Sequence, residues 1–263
     1  MNGYLAGYRL NWRRDLVDAR DKAFRKTARM EARLPDVFMP DWPFEIRDQG
    51  QLGSCVAQGG VEAYAAAKYA EKQIVEPWHS ALFAYTALRM DDGTFPEDAG
   101  GSIRDSLKTF NRVGIPKESL WPYDIRMAAV RPPGPVWRVA QRSQMLEYRR
   151  VEPDALLAAI YNGGSMRAVM FGHVVHEGFD ATPASGIVRM PRRLLDRPLG
   201  GHCQVLTGFD IKRGLFRGVN SWGDGWGAKG LCYFPWRYLE KYARDFWVVK
   251  RVEMDETTRG RGA

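Results

Sequence analysis

The chain has 263 residues, 45% of them hydrophobic and 27% charged, with nine Trp and twelve Phe. That excludes disorder as the default and leaves room for one large domain or two lobes around a shared cleft. The formal charge of +8 invites a nucleic-acid reading, yet residues 1 to 34 hold nine Lys/Arg against four Asp/Glu and the remainder is nearly balanced, with no basic-plus-aromatic pattern of a nucleic-acid module.

Three cysteines, Cys55, Cys203 and Cys232, exclude a disulfide framework and suit a reducing compartment. The start lacks the apolar run of a signal peptide, and no window approaches the roughly 18 apolar residues of a membrane span. The expectation is a soluble, cytoplasmic protein with no membrane span.

In chain order, residues 14 to 33 are rich in Ala, Arg and Lys with sparse apolar positions, the pattern of a basic surface helix or an arm laid over the body. Pro35, Pro40 and Pro43 then force extended or turn conformations, so the expected division is an arm over 1–34, a domain over 35–250 and a polar tail over 251–263. After Gly53 an Ala-rich helix is expected to begin at Cys55, with Ser54 as its N-cap. Further helices are expected over 79–90, 102–112 and 153–161, the last opened by Pro153. From about 165 short apolar or alternating segments separated by Gly, Pro and Asp read as antiparallel sheet. The fold class is therefore α+β, a helical lobe followed by a sheet lobe.

A cysteine on the first turn of a helix meets unpaired amides and the positive end of the helix dipole, which favour the thiolate. A lone cysteine is still more often a small buried core residue, so Cys55 gains a functional reading only from its surroundings. A base must reach the sulfur, and the chain offers only His79, His173, His176 and His202. His173 and His176 would point to opposite faces of a strand, which argues against a two-histidine metal site.

The segment Gln49-Gly50-Gln51-Leu52-Gly53-Ser54-Cys55 resembles the nucleophile region of papain-like cysteine peptidases, and Asn220-Ser221-Trp222-Gly223-Asp224-Gly225-Trp226-Gly227 resembles the motif around that family's third catalytic residue. His202, in Gly200-Gly201-His202-Cys203, stands between them. The resemblance implies a two-lobed papain-like fold with Cys55 as nucleophile, His202 as base, Asn220 orienting it and Gln49 as oxyanion donor. It implies Trp222 as a shield over the pair and Gly100, Gly101, Cys203 and Trp226 as substrate-binding residues. His202 and Asn220 follow Cys55 by 147 and 165 residues; the first is at the upper end of the family's interval of about 130 to 150 and the second is beyond it, an excess assigned to residues 190–198.

QGQLGSC and GGSIRDSLK are similar to the bacterial xylellain-like branch, and Leu52 and Val56 stand where plant and lysosomal members carry a disulfide cysteine and a Trp. The implied activity is a thiol endopeptidase acting on a peptide or protein substrate, with no metal or organic cofactor and no specific nucleic acid. An alternative keeps the fold and makes the chain a component of a phage particle or other assembly, virion-associated, acting on cell-wall peptides or serving a structural role. In either case the basic arm is the candidate contact for a larger assembly or homo-oligomer.

Overall fold

A computed structural model describes residues 3–5, 7–72, 75, 78–162, 165–192 and 194–252. Its helical half is organised by α2 (Cys55–Lys72), which is buried on nearly every side over residues 55–68. A helix so enclosed needs close neighbours. Gly59 provides one approach, since a Cβ there would lie 3.2 Å from Cys203 Sγ, and Gly60 the other, where a Cβ would lie 2.5 Å from the Phe110 ring.

Against α2 pack α3 (Ala81–Asp91) and α4 (Ile103–Val113). Both begin on a serine whose hydroxyl accepts from the third helical amide, Ser80 from Phe83 and Ser102 from Asp105. These helices match the expected segments within two residues. The third is shorter, a 3-10 turn over Pro153–Ala155 running into α6 (Leu156–Ile160).

The second half supplies most of a seven-stranded antiparallel sheet. Its strands are β7 (Val169–His176), β8 (Pro198–Asp210), β9 (Leu215–Val219), β10 (Leu231–Pro235) and β11 (Ala243–Val252), joined by β3 (Val37–Phe38) and β4 (Met145–Arg150). The order is β10-β9-β8-β7-β11-β4, with β3 beside β8. Two apolar clusters flank it. One joins α2, α3 and α4 to the sheet; the other packs α6 and α7 (Trp236–Tyr242) against Phe171, Phe234 and Val248. Strand β4 and the helices α5 (Gly134–Ala140) and α7 lie outside the expected elements. The short pair β5 (Tyr161–Asn162) and β6 (Ser165–Met166) completes this half.

Of the two forms expected over 14–33, a surface helix or an arm laid over the body, the structure shows the arm. Strand β1 (Gly3–Leu5) pairs antiparallel with β2 (Tyr8–Leu10), and the chain then runs without helix, through a turn at Ala19 and Arg20, to Thr27 before a single helical stretch, α1 (Ala28–Glu31). The reason lies in its partners. Asp15, Asp18 and Asp21 each bond the body, and the backbone pairs with Gly101, Gly201 and Arg150, contacts that an internally bonded helix could not make. The tail is described only to residue 252; the rest of the segment expected as polar tail lies outside the described residues.

Candidate active site and the arm across it

Cys55 opens α2, fully buried. Ser54 precedes it, its hydroxyl 2.6 Å from Tyr123 Oη and its carbonyl accepting from the Gln58 amide. Burial pushes the Cys55 thiol up to about 11, against the main-chain amides of Cys203, Asn11 and Val56, which favour the thiolate.

His202 lies on β8, opposite His173 of β7. Its Nε2 is 2.8 Å from Asn220 Oδ1, and Nδ1 has no hydrogen-bond partner among the described residues, so no bond to Cys55 exists in this closed form. Burial pulls His202 down to about 4 even with Asn220 favouring its cation. Burial thus favours the neutral form of both groups. Trp222 covers the imidazole, ring centroids 5.0 Å apart, and is itself buried.

Gln49 is fully buried and fixed at both ends of its amide. Oε1 accepts from Ser221 Oγ at 2.8 Å, which turns Nε2 toward the cleft. There Nε2 donates to the Leu52 carbonyl at 3.0 Å and to the Arg9 carbonyl at 3.3 Å. The Asn220 side-chain Nδ2 donates no hydrogen bond among the described residues, while its Oδ1 also accepts from the Ser221 amide at 2.9 Å.

The structure thus brings Cys55, Gln49, His202, Asn220 and Trp222 to one place, with Gly100, Gly101 and the Cys203 backbone around them. Gly100 has φ +69°, and a Cβ there would lie 2.0 Å from the Asn11 carbonyl oxygen. Cys203 is buried, its sulfur against Gly59. Trp226 sits further back, packed on Trp222 and Phe179.

The arm fills the cleft. Tyr8 stacks flat on Trp222, centroids 4.7 Å apart and planes at 8°, and its hydroxyl donates to the Trp222 carbonyl. Asn11 and Trp12 then pair in parallel with Gly201 and Gly101: Trp12 N–H donates to Gly201 O at 2.9 Å, Gly101 N–H to Asn11 O at 3.3 Å and Arg13 N–H to Gly101 O at 2.9 Å. The Trp12 ring occupies a slot that exists because Gly172 has no side chain, since a Cβ there would lie 1.8 Å from the indole.

Beyond Trp12, Asp15 accepts from the Arg104 amide at 3.0 Å and from Trp247 Nε1 at 2.7 Å, and its own amide donates to Asp245. Asp18 and Asp21 both pair with Arg104.

Sequence reasoning missed Asp98. Its carboxylate accepts from the Gly53 amide at 3.1 Å, from Tyr85 Oη and from Arg9 at 2.9 Å, so it ties the nucleophile loop, α3 and the arm together. A lone Asp before Ala99-Gly100-Gly101 carries no local signal of this. His173 lies on a strand, as expected; it is fully buried, 5.7 Å ring to ring from His202 and bonded through Nδ1 to Tyr238. No described helix is long and apolar enough to cross a membrane.

No family model matches the chain. It is 32% identical over 254 residues to the uncharacterized peptidase C1-like protein L477 of Acanthamoeba polyphaga mimivirus, an alignment spanning 88% of this chain and 80% of that protein. Among solved structures, xylellain, a cysteine protease from Xylella fastidiosa, superposes with a TM-score of 0.84 at 30% identity, covering 93% of this chain and 96% of that one. Procathepsin B S9 from Trypanosoma congolense shares the fold at 14% identity and TM-score 0.69, over 91% of this chain and 85% of its own. With identity of this order along nearly the whole length and the fold in common, the chain belongs to the papain-like cysteine peptidases and is a cysteine peptidase.

Proposed function

We propose that this peptidase cleaves peptide bonds with Cys55 as nucleophile, His202 as base and acid, Asn220 orienting the imidazole and Gln49 with the Cys55 amide as oxyanion donors, and that residues 3–24 hold it closed. The observation that carries this reading is the arm's choice of partners. Its backbone takes up Gln49 Nε2, Gly101 and Gly201, groups that a peptide substrate would use, and the Asn11 amide lies close enough to Cys55 to affect its sulfur.

With the arm displaced, water returns to the cleft and the burial that holds thiol and imidazole neutral is relieved, so a thiolate–imidazolium pair becomes accessible. The thiolate attacks the scissile carbonyl carbon, forming a C–S bond, and the charge gathers on oxygen beside Gln49 Nε2. Collapse breaks the C–N bond, and the amine leaves with the proton of His202. Water then gives a proton to His202, attacks the acyl carbon and releases the acid, restoring Cys55. Asn220 Oδ1 keeps Nε2 engaged throughout and leaves Nδ1 for this proton traffic.

The arm's contacts run from Trp222, on which Tyr8 stacks, to Gly101, with which Trp12 pairs, so an extended chain lies along this groove. A chain can thread through it, which supports endopeptidase action. The test uses the full chain with Trp12→Ala to loosen the arm, assayed on a peptide panel with and without Cys55→Ala. Cleavage that persists undiminished in the Cys55→Ala protein sinks the assignment.

A further inference from the structure

Where residues 19–25 of the arm run past the edge of the sheet, arm and body line an open cavity of about 820 Å³. Six cations line it, Arg20, Lys22 and Arg25 from the arm and Arg149, Arg167 and Lys250 from the body. The one acidic residue in the lining, Asp21, is engaged with Arg104 at 2.7 Å and Arg150 at 3.9 Å. The acids just outside it are engaged too. Asp18 pairs with Arg20 at 2.7 Å, and Glu147 is shared between Arg149 at 3.0 Å and Lys250 at 3.2 Å.

Lys22, Arg25 and Arg167 have no carboxylate partner among the described residues. Arg167 is half-buried, and burial lowers its pKa with only Glu147 and Glu71 opposing. The charge left unpaired on both sides of this seam is thus positive. Repulsion there works against docking of the arm, and a multivalent anion in the cavity reverses its sign. Guanidinium groups from both sides match an oxyanion with planar forks, and ammonium groups add point charge.

We propose that this seam binds a small multivalent oxyanion of the phosphate class, and that the bound anion ties the arm to the body and holds the peptidase closed. The second half of this proposal rests on the arm being the closing element; the first half does not.

The experiment takes the full-length protein and titrates tripolyphosphate against sodium chloride at matched ionic strength, reading the thermal midpoint and the alkylation rate of the Cys55-containing peptide by mass spectrometry. Tripolyphosphate is expected to raise the midpoint beyond the chloride control and to slow Cys55 alkylation about tenfold, a coupling of ordinary size between two sites. The Arg25→Gln/Arg167→Gln protein, checked as folded by circular dichroism, is expected to lose both effects. Equal responses to tripolyphosphate and chloride, or an undiminished response in the double variant, overturn the site. A raised midpoint with unchanged alkylation supports the site and overturns the clamp. Alkylation reports access to the sulfur whether or not Cys55 is the nucleophile, so this result stands apart from the catalytic assignment.

Discussion

The carbonyl of Asn11 accepts from the Gly101 amide at 3.3 Å, and so faces the glycine loop and not the sulfur of Cys55. A carbonyl turned to that loop is away from Gln49 Nε2, the donor proposed for a scissile carbonyl, where the Arg9 carbonyl lies instead at 3.3 Å. The arm therefore crosses the site without setting the Asn11–Trp12 bond on that donor.

The first prediction concerns this geometry. Concentrated full-length protein incubated under conditions where the Trp12→Ala form cleaves peptides should show no cut between Asn11 and Trp12. Intact-mass spectrometry checks it. A fragment pair with that junction would mean that the arm turns over in place.

Trp12 is the apolar anchor of the closed form, 7% exposed in its glycine-walled slot. Removing such a side chain costs about 3 kcal/mol or more of the interaction that holds it. If that cost falls on docking, Trp12→Ala should raise Cys55 alkylation by roughly a hundredfold. Residue-resolved alkylation kinetics read this directly, and an unchanged rate would show that the rest of the arm closes the cleft without it.

Gln49 separates binding from chemistry. In the Trp12→Ala background, Gln49→Ala should lower kcat by about 10²- to 10³-fold with little change in KM, since an oxyanion donor acts mainly on the transition state. Steady-state kinetics on one peptide decides it. A change confined to KM would move Gln49 to a substrate-holding role.

Glu62, inside α2, gives a pH signature of stability. It is 1% exposed, neither carboxylate oxygen has a hydrogen-bond partner among the described residues, and burial pushes it up to about 8, with Arg47 acting the other way. Between its ordinary value of 4.5 and about 8 the folded state binds the proton and the unfolded chain does not. Its contribution to stability therefore falls as pH rises through that window, by on the order of 3 kcal/mol. Glu62→Gln should remove this slope, so that its stability relative to the parent improves from pH 5 to pH 8. Urea denaturation at both values is the measurement.

The catalytic candidates were legible because each carries local sequence context: Gln49 and Cys55 lie six residues apart in one segment, and Asn220 opens a Trp/Gly-rich run. Asp98 was not legible. Its importance comes from Gly53, Tyr85 and Arg9, partners distant in sequence and joined only by folding. Strand β4 was hidden for a similar reason. MLEYRR lacks a clean alternation, and its pairing with β11 across about a hundred residues of chain supplies what its pattern does not.

What the sequence determined by itself was the α+β order of elements and the chemistry gathered around Cys55, because helix starts, strand alternation and a nucleophile motif are properties of neighbouring residues. Only the tertiary structure decided the path of residues 11–24. Asp15, Asp18 and Asp21 at intervals of three look like one side of a helix, and the segment's composition agrees with that. The acids find Arg104 of α4, and the backbone finds Gly101, Gly201 and Arg150, so contacts with distant residues replace the bonds a helix would make within itself. Cys55 keeps the place that its motif suggested; its covering could be read only once those partners stood beside it.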